Sequence, residues 1–335
     1  MKRILMIATG GTIASTEDGA GLAPTMTGRE LACQVPLLDT LCDLDFVQPM
    51  NIDSTNMRPA DWLRVAQVVR DSYDSYDGFV ILHGTDTMAY TAAALSYLIQ
   101  DSEKPIVLTG SQQPMANPFT DAKLNLYQSV LYACDDASRD VSVVFGGKVI
   151  CGTRARKQRT MSFNAFTSMN YPSLAYLRGG RVVRPAGAAS LGEKDGHAPL
   201  FFGSLDERVI VLKLTPELGP EIFGLLKDAY DAVILETFGI GGIPDYDGAF
   251  QRAIFDWVES GRTLVVTTQV PEEGLDLGVY EVGRAYAEKD GILKGDDMTT
   301  EALVAKTMWV LGQTRDPDEV ARLFYAPINH DRVPR

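Results

Sequence analysis

Two short strings place hydroxyl side chains on turns freed by glycine: Thr9-Gly10-Gly11-Thr12-Ile13-Ala14, and further on His83-Gly84-Thr85-Asp86-Thr87-Met88. Apolar runs precede both, Ile4 to Ala8 and Phe79 to Leu82, and read as buried parallel strands; the residues after Thr85 read as a helix. In an open α/β sheet the loops past the carboxyl ends of the strands meet around one crevice, and ligands bind there. Both threonines are therefore expected to face one pocket. A threonine hydroxyl is weakly acidic, so it attacks an acyl carbon only with a base or a charge relay close by. Thr85, Asp86 and a lysine can supply that support to Thr12. The N–H groups around Gly10 to Thr12 and Gly84 to Thr85 can bind an oxyanion or a carboxylate.

Each residue also has a plainer use. Thr-Gly-Gly-Thr fits any tight turn that needs glycine's φ freedom. Asp86 fits a helix cap, where the dipole favours a carboxylate. Ser54 fits a turn cap, His83 a packed histidine, and Lys157 the solvated face of a basic run with Arg154, Arg156 and Arg159. Convergence favours the chemical reading, since four strand ends carry hydroxyl and carboxylate groups.

The elements that must position these groups follow from hydrophobic spacing. After strand 1, Thr27 and Glu30 make a capping box for a helix through Leu38, and Phe46 to Met50 reads as the next strand. Pro59 opens a helix with Trp62, Val65, Ala66, Val69 and Tyr73 on one face. The helix after Thr85 runs to about Gln100, Ile106 to Leu108 is a strand, and Leu124, Tyr127, Leu131 and Cys134 mark another helix. Val141 to Phe145 and Lys148 to Cys151 flank Gly146-Gly147 as a hairpin. Alternating strand and helix requires crossovers, so the fold class is α/β, a mainly parallel sheet flanked by helices. Residues 178–207 change to glycine, alanine, proline and charge and read as the connection between an amino-terminal domain over 1–190 and a smaller α/β domain over 208–335. In the second domain, strands are expected at Val209 to Leu214, Ala232 to Thr237 and Leu264 to Thr268. Helices are expected near Glu221 to Tyr230, Gly248 to Ser260, Glu301 to Leu311 and Pro317 to Tyr325.

Composition excludes several classes. With 335 residues, 45% hydrophobic, the chain can bury two ordinary cores. A net charge of −13 and no long run of Lys and Arg argue against a nucleic-acid partner. Cys33, Cys42, Cys134 and Cys151 lack Cys-x-x-Cys spacing, and His83, His197 and His330 lie far apart, so no metal cage or disulfide framework is read and no cofactor is expected. No stretch approaches the roughly 18 apolar residues of a membrane span. Lys2 and Arg3 ahead of Ile4 to Ala8 imitate a signal peptide, but cleavage there would destroy the site, so a cytoplasmic protein is expected.

The two strings, in this order and spacing, resemble the signature motifs of the bacterial-type L-asparaginases of the asparaginase and glutaminase family, cytoplasmic type. Further similar stretches lie at Asp53 to Met57, Thr109 to Gln112, Gly152 to Lys157 and Asp297 to Glu301, so the resemblance covers nearly the whole chain. It implies hydrolysis of L-asparagine to L-aspartate and ammonia through a covalent acyl-enzyme, with no metal or cofactor. Thr12 would be the nucleophile and Thr85, Asp86 and Lys157 its supporting triad. Ser54 and Asp86 would hold the α-carboxylate and α-ammonium of the substrate, with Asp53, Thr55, Gly11 and Gly84 completing the binding site. A homodimer or homotetramer is also implied.

Two positions depart from the family pattern. Thr55 stands where glutamine is common, and Leu22 stands where many members carry a tyrosine that orients the nucleophile; Thr25 or Tyr280 would have to substitute for it. Two rival readings stay open. One is the glutaminase-like subunit of an archaeal tRNA amidotransferase, which carries an extra amino-terminal domain. The other is an amino-acid-binding protein that has lost turnover.

Overall fold

The computed structural model describes residues 1–18, 21–186, 198–279 and 281–333, without the side chains of 16–24, 281 and 282. Residues 187–197 of the expected connection, which include His197, together with Tyr280 and the side chain of Leu22, fall outside what is described. The chain divides into two compact units, Met1–Gly203 with Ile328–His330, and Ser204–Pro327 with Asp331–Arg335.

The first unit is built on an eight-stranded sheet. Its strands are β1 (Arg3–Ala8), β2 (Asp43–Val47), β3 (Gly78–Leu82), β4 (Ile106–Thr109), β5 (Val141–Phe145) and β6 (Lys148–Cys151). A two-stranded ribbon, β7 (Ala155–Lys157) and β8 (Phe166–Ser168), follows, and β9 (Ala175–Arg178) and β10 (Arg181–Val183) return to the main sheet. In space the order is β10-β9-β6-β5-β4-β3-β1-β2. The five strands from β2 to β5 are parallel, and β6, β9 and β10 extend them antiparallel. β1 and β3 are central and nearly all buried, as their unbroken apolar runs require.

Helices α1 (Gly28–Cys33), α2 (Pro59–Ser72), α3 (Met88–Leu98) and α4 (Ala122–Ala133) link these strands. The Thr27–Glu30 capping box forms, but α1 stops at Cys33 instead of running to Leu38. Pro36 explains this: the residue before a proline is pushed out of the helical region, and Val35 sits at φ −129°. β2 lies three residues earlier than the apolar run Phe46 to Met50 suggests. As an edge strand it needs only one covered side, so Asp43 and Asp45 are tolerated in it. α3 is buried all round, not on one face. Residues 178–183 are not linker: Gly179 and Gly180, both at positive φ, turn the β9–β10 hairpin.

The second unit holds a four-stranded parallel sheet, in order β11 (Val209–Lys213), β12 (Ala232–Thr237), β13 (Thr263–Thr268) and β14 (Ile292–Lys294). Helices α5 (Ile222–Leu226), α6 (Ala249–Glu259), α7 (Glu281–Glu288), α8 (Thr300–Gln313) and α9 (Pro317–Tyr325) accompany it. Phe250, Ile254 and Trp257 of α6 pack into the core, and the Trp257 indole donates to Thr263 O at 2.9 Å. A fully buried ion pair, Lys306 with Asp331, fixes α8 to the segment after α9.

Ahead of β5, Asp140 sits at φ 54°, and burial raises its carboxyl to about 6 against the opposing pull of Arg139. A folded-state value above the unfolded one costs stability once pH exceeds about 6 and costs nothing below about 4. Asp140→Asn, which tolerates the left-handed backbone, is expected to stabilise the fold at pH 7 by about 1–3 kcal/mol, with the gain vanishing as pH falls to 4. Thermal unfolding across pH checks it; a gain independent of pH would refute the assignment.

Candidate active site

The two glycine turns meet at the carboxyl ends of adjacent strands β1 and β3. Gly11, at φ 81°, lies so close to the second turn that a Cβ there would fall 2.4 Å from Gly84 Cα. A Cβ on Gly84 would fall 2.5 Å from the Ser54 hydroxyl, and one on Gly10 would fall 2.4 Å from Ile52 O. Three loops from distant parts of the sequence thus pack backbone to backbone, which brings the residues after the glycines, Thr12 and Thr85, to one end of the sheet. Hydrogen bonds fix the arrangement: Gly11 N–H donates to Ile52 O at 3.1 Å, Ile52 N–H to Thr9 O at 2.9 Å, and Thr87 Oγ1 to Ser54 O at 2.8 Å. Gly11 therefore contributes space, its N–H being committed to Ile52.

Thr12 opens a single 3-10 turn, Thr12–Ala14, and is partly exposed, while Ile13 and Ala14 are buried beneath it. Among the described residues its hydroxyl has no hydrogen-bond partner. Thr85 is buried, and its hydroxyl receives the Lys157 ammonium at 2.8 Å and donates to Gln112 Oε1 at 3.3 Å. Lys157 Nζ also meets Asp86 Oδ1 at 2.5 Å. Asp86 is more than half exposed, so its carboxylate holds the lysine at the solvent margin. An ammonium against the Thr85 hydroxyl favours developing negative charge on that oxygen, which is the electrostatic requirement for a relay.

Lys157 ends β7, whose register with β8 pairs it opposite Phe166, and Phe166 is anchored on Phe145 with ring centroids 5.0 Å apart. Of its neighbours, Arg156 is half-buried and Arg159 is exposed, bonded to Asn164 O. The basic run is thus divided, with Arg154 fully buried, Lys157 reaching Thr85 and Asp86, and Arg159 exposed.

The Ser54 side chain is buried against Gly84, on a 3-10 turn, Ser54–Asn56. Asp53 caps that turn, its Oδ1 accepting from both Thr55 N–H at 2.8 Å and Thr55 Oγ1 at 2.9 Å. Asp53 and Thr55 thus satisfy each other. His83 is fully buried, and desolvation lowers it to about 4, so the ring is neutral. Facing a carbonyl, Nδ1 must donate to Gly84 O at 2.7 Å, leaving Nε2 to accept from Thr91 Oγ1 at 2.9 Å. The histidine is a fixed support for the Gly84 turn.

Sequence reasoning did not single out Gln112, Asp121 or Asn125. Asp121 precedes α4 like a cap, yet both its oxygens turn back to accept from Gln112 N–H at 3.1 Å. Asn125 bonds Asp121 and Gly110 O and accepts from Gly146 N–H. The 110–121 loop is thereby held so that Gln112 reaches Thr85. For Gln112 the signal was its place in the family-like stretch Thr109 to Gln112; for Asp121 and Asn125 it was an Asp and an Asn four residues apart, which reads equally well as ordinary capping. Among the described residues, no group of three or more His, Cys, Asp or Glu side chains is placed to hold a metal ion.

Two family models match this chain: "Asparaginase, N-terminal" over residues 3–186, and "Glutaminase/Asparaginase C-terminal domain" over 208–324. The chain belongs to the asparaginase and glutaminase family. An L-asparaginase of Thermococcus kodakarensis is 38% identical over 96% of both chains. A glutamyl-tRNA(Gln) amidotransferase subunit of Pyrococcus horikoshii is 35% identical over 96% of this chain and 74% of its own length. Among solved structures, the thermostable L-asparaginase from Thermococcus kodakarensis superposes with a TM-score of 0.92 at 35% identity, covering 99% of this chain and 100% of its own. L-asparaginase I from Vibrio cholerae gives 0.85 at 28% identity, covering 99% of both. Family membership makes the chain a hydrolase with the α/β architecture described above.

Close packing of the glycine turns has a measurable cost. Gly84→Ala is expected to lower stability by about 1–3 kcal/mol, the usual penalty for overpacking a filled site. Gly224→Ala, in α5 with nothing within 4 Å of the added methyl, is expected to be neutral or slightly stabilising. Denaturant unfolding of both variants checks this, and equal stability of the two would show that the turns are looser than described.

Proposed function

We propose that the chain is an L-asparaginase that hydrolyses L-asparagine to L-aspartate and ammonia with Thr12 as nucleophile. The observation that carries this reading is the Thr85–Lys157–Asp86 cluster, packed through Gly84 and Gly11 against the turn that bears Thr12. Thr12 Oγ1 attacks the side-chain amide carbon, and its proton passes to the departing nitrogen by way of the Thr85 relay. The C–N bond breaks, ammonia leaves, and an ester links Thr12 to the aspartyl group. Water activated at the same place cleaves that ester and restores the threonine. Lys157 favours charge on the Thr85 oxygen, and Asp86 holds the lysine with Oδ1 while its second oxygen receives the α-ammonium. Ser54 takes the α-carboxylate. The reaction so written calls on no metal or cofactor, and Thr55, held by Asp53, reaches less far than a glutamine at that position would, which alters how the α-ammonium is held.

Cytoplasmic location and assembly into a homodimer or homotetramer belong to the same proposal. Phe119 and Met161, each more than four-fifths exposed on the loops beside Gln112 and Lys157, favour coverage by a second copy of the chain. A second reading, the ammonia-producing component of a tRNA amidotransferase, is favoured by the likeness to the Pyrococcus horikoshii protein. The net charge of −13 weighs against it, since holding tRNA calls for a basic surface. No helix among the described residues is long and apolar enough to cross a membrane.

Ammonia release from free L-asparagine, without tRNA, separates these readings. Thr12→Ala is expected to keep the fold and lose turnover by a factor on the order of a thousand or more. More than a tenth of parental activity in that variant would remove Thr12 from the role. The lysine is tested against its neighbour: Lys157→Met should lower turnover by roughly a hundredfold or more, whereas Arg156→Met should do much less. If the two behave alike, the basic run is a solvated face and the relay is wrongly drawn.

A further inference from the structure

Residues 328–330 lie within the first unit, where no helix or strand of its sheet requires them. Asn329 and His330 both adopt positive φ, 43° and 57°, two successive left-handed residues without glycine. Such a conformation persists only where surrounding contacts over-determine it. Here they do. Asn329 O accepts from Thr153 Oγ1 at 2.6 Å and from the Cys151 thiol at 2.8 Å. Asn329 Nδ2 donates to Ser96 Oγ at 2.9 Å and to Val141 O at 3.0 Å. His330 O accepts from Arg154 Nε at 2.6 Å, and the His330 ring stacks on Tyr171 at 4.9 Å. Burial pushes the Cys151 thiol up to about 11, so it remains a donor.

The partners fall into two groups with different relations to the site. Ser96 lies on α3, the helix that follows Thr85 and Asp86. Cys151, Thr153 and Arg154 form the turn that leads into β7, which ends at Lys157. Ser96, Cys151, Thr153 and Arg154 are all buried. No spare room lets the turn settle elsewhere on α3: a Cβ on Gly152 would lie 2.6 Å from Ser96 Oγ.

We infer that the Asn329–His330 segment is a positioning clasp that sets β7 against α3 and so fixes the reach of Lys157 to Thr85 and Asp86. Neither residue touches the reacting atoms. Their effect passes through Thr153 and Arg154 to a lysine three or four residues on. This inference rests on the proposed role of Lys157.

The test uses the full chain with Asn329→Gly, which keeps the left-handed backbone but deletes the side-chain bonds, and Thr153→Val, which deletes the hydroxyl donor at nearly constant shape. Each is expected to lower kcat on L-asparagine about tenfold or more while KM moves less than about threefold, the scale of a small misplacement at a reacting centre. Thr153→Ser, which retains the donor, should recover most of the loss. In a Lys157→Met background, Thr153→Val should add almost nothing, because both changes act through one group. Val69→Ala, a core truncation in α2, supplies a destabilised control whose kcat at an assay temperature well below unfolding should stay near that of the parent. Parental kcat in both clasp variants, a Val69→Ala loss equal to theirs, or full additivity with Lys157→Met would each overturn the clasp. Parental turnover in Lys157→Met would instead overturn the role of the lysine, and the clasp's purpose with it, so the two failures are told apart.

Discussion

Two glycine backbones in contact are the constraint on which the first unit's chemistry depends. Gly11 and Gly84 lie on the turns that follow neighbouring strands, and no side chain of any size fits between them or between Gly84 and Ser54. Parallel strands are about 4.8 Å apart, and loops leaving them ordinarily diverge as side chains demand room. Removing the Cβ atoms lets the loops stay together past the end of the sheet. The hydroxyls of residues 12, 54 and 85 are then carried by backbone and not by long flexible side chains, so little rotamer freedom remains to be lost when a ligand binds.

The cation arrives by a different architectural route. Parallel strands deliver Thr12, Ser54, Thr85 and Gln112 from their carboxyl ends, but Lys157 comes from a ribbon that follows the antiparallel β5–β6 hairpin. Reversing direction at Gly146-Gly147 brings the chain back without another crossover helix. The lysine therefore approaches from the flank, where it meets Asp86 at the solvent margin and Thr85 in the interior. Support comes from the neutral His83, which ties Gly84 O to Thr91 of α3, and from Asp121 and Asn125, which tie the Gln112 loop to α4 and to Gly146.

Much of this was legible from residue order, and the failures have physical causes. Glycine before threonine after an apolar run marks a turn at a strand end, and both such turns lie where that pattern puts them. The Thr27–Glu30 box and Pro59 mark the starts of α1 and α2. Periodicity misjudged β2 because an edge strand has a weak apolar signature, and it ran α1 too far by passing over Pro36. It could not see β7 and β8, three residues each and rich in charge, whose pairing depends on what lies beneath them. Asp121 bonds a loop nine residues back, as a cap also could, and residues 328–330 act through partners far away in sequence, so nothing local distinguishes them from caps and tails.

The same long-range contacts are made between segments synthesised far apart in time. Lys157 meets Asp86 across 71 positions, and Asn329 meets Ser96 across 233. Contacts so far apart in sequence form slowly, because chain entropy must be lost before they give anything back. A ribosome that has delivered residue 157 has delivered the hydroxyls, carboxylates and ammonium of the site, but the strap across β7 and α3 follows only at residues 328–330. Until those residues are made, the turn ahead of β7 is without the carbonyls that Thr153 and Arg154 bond in the finished protein.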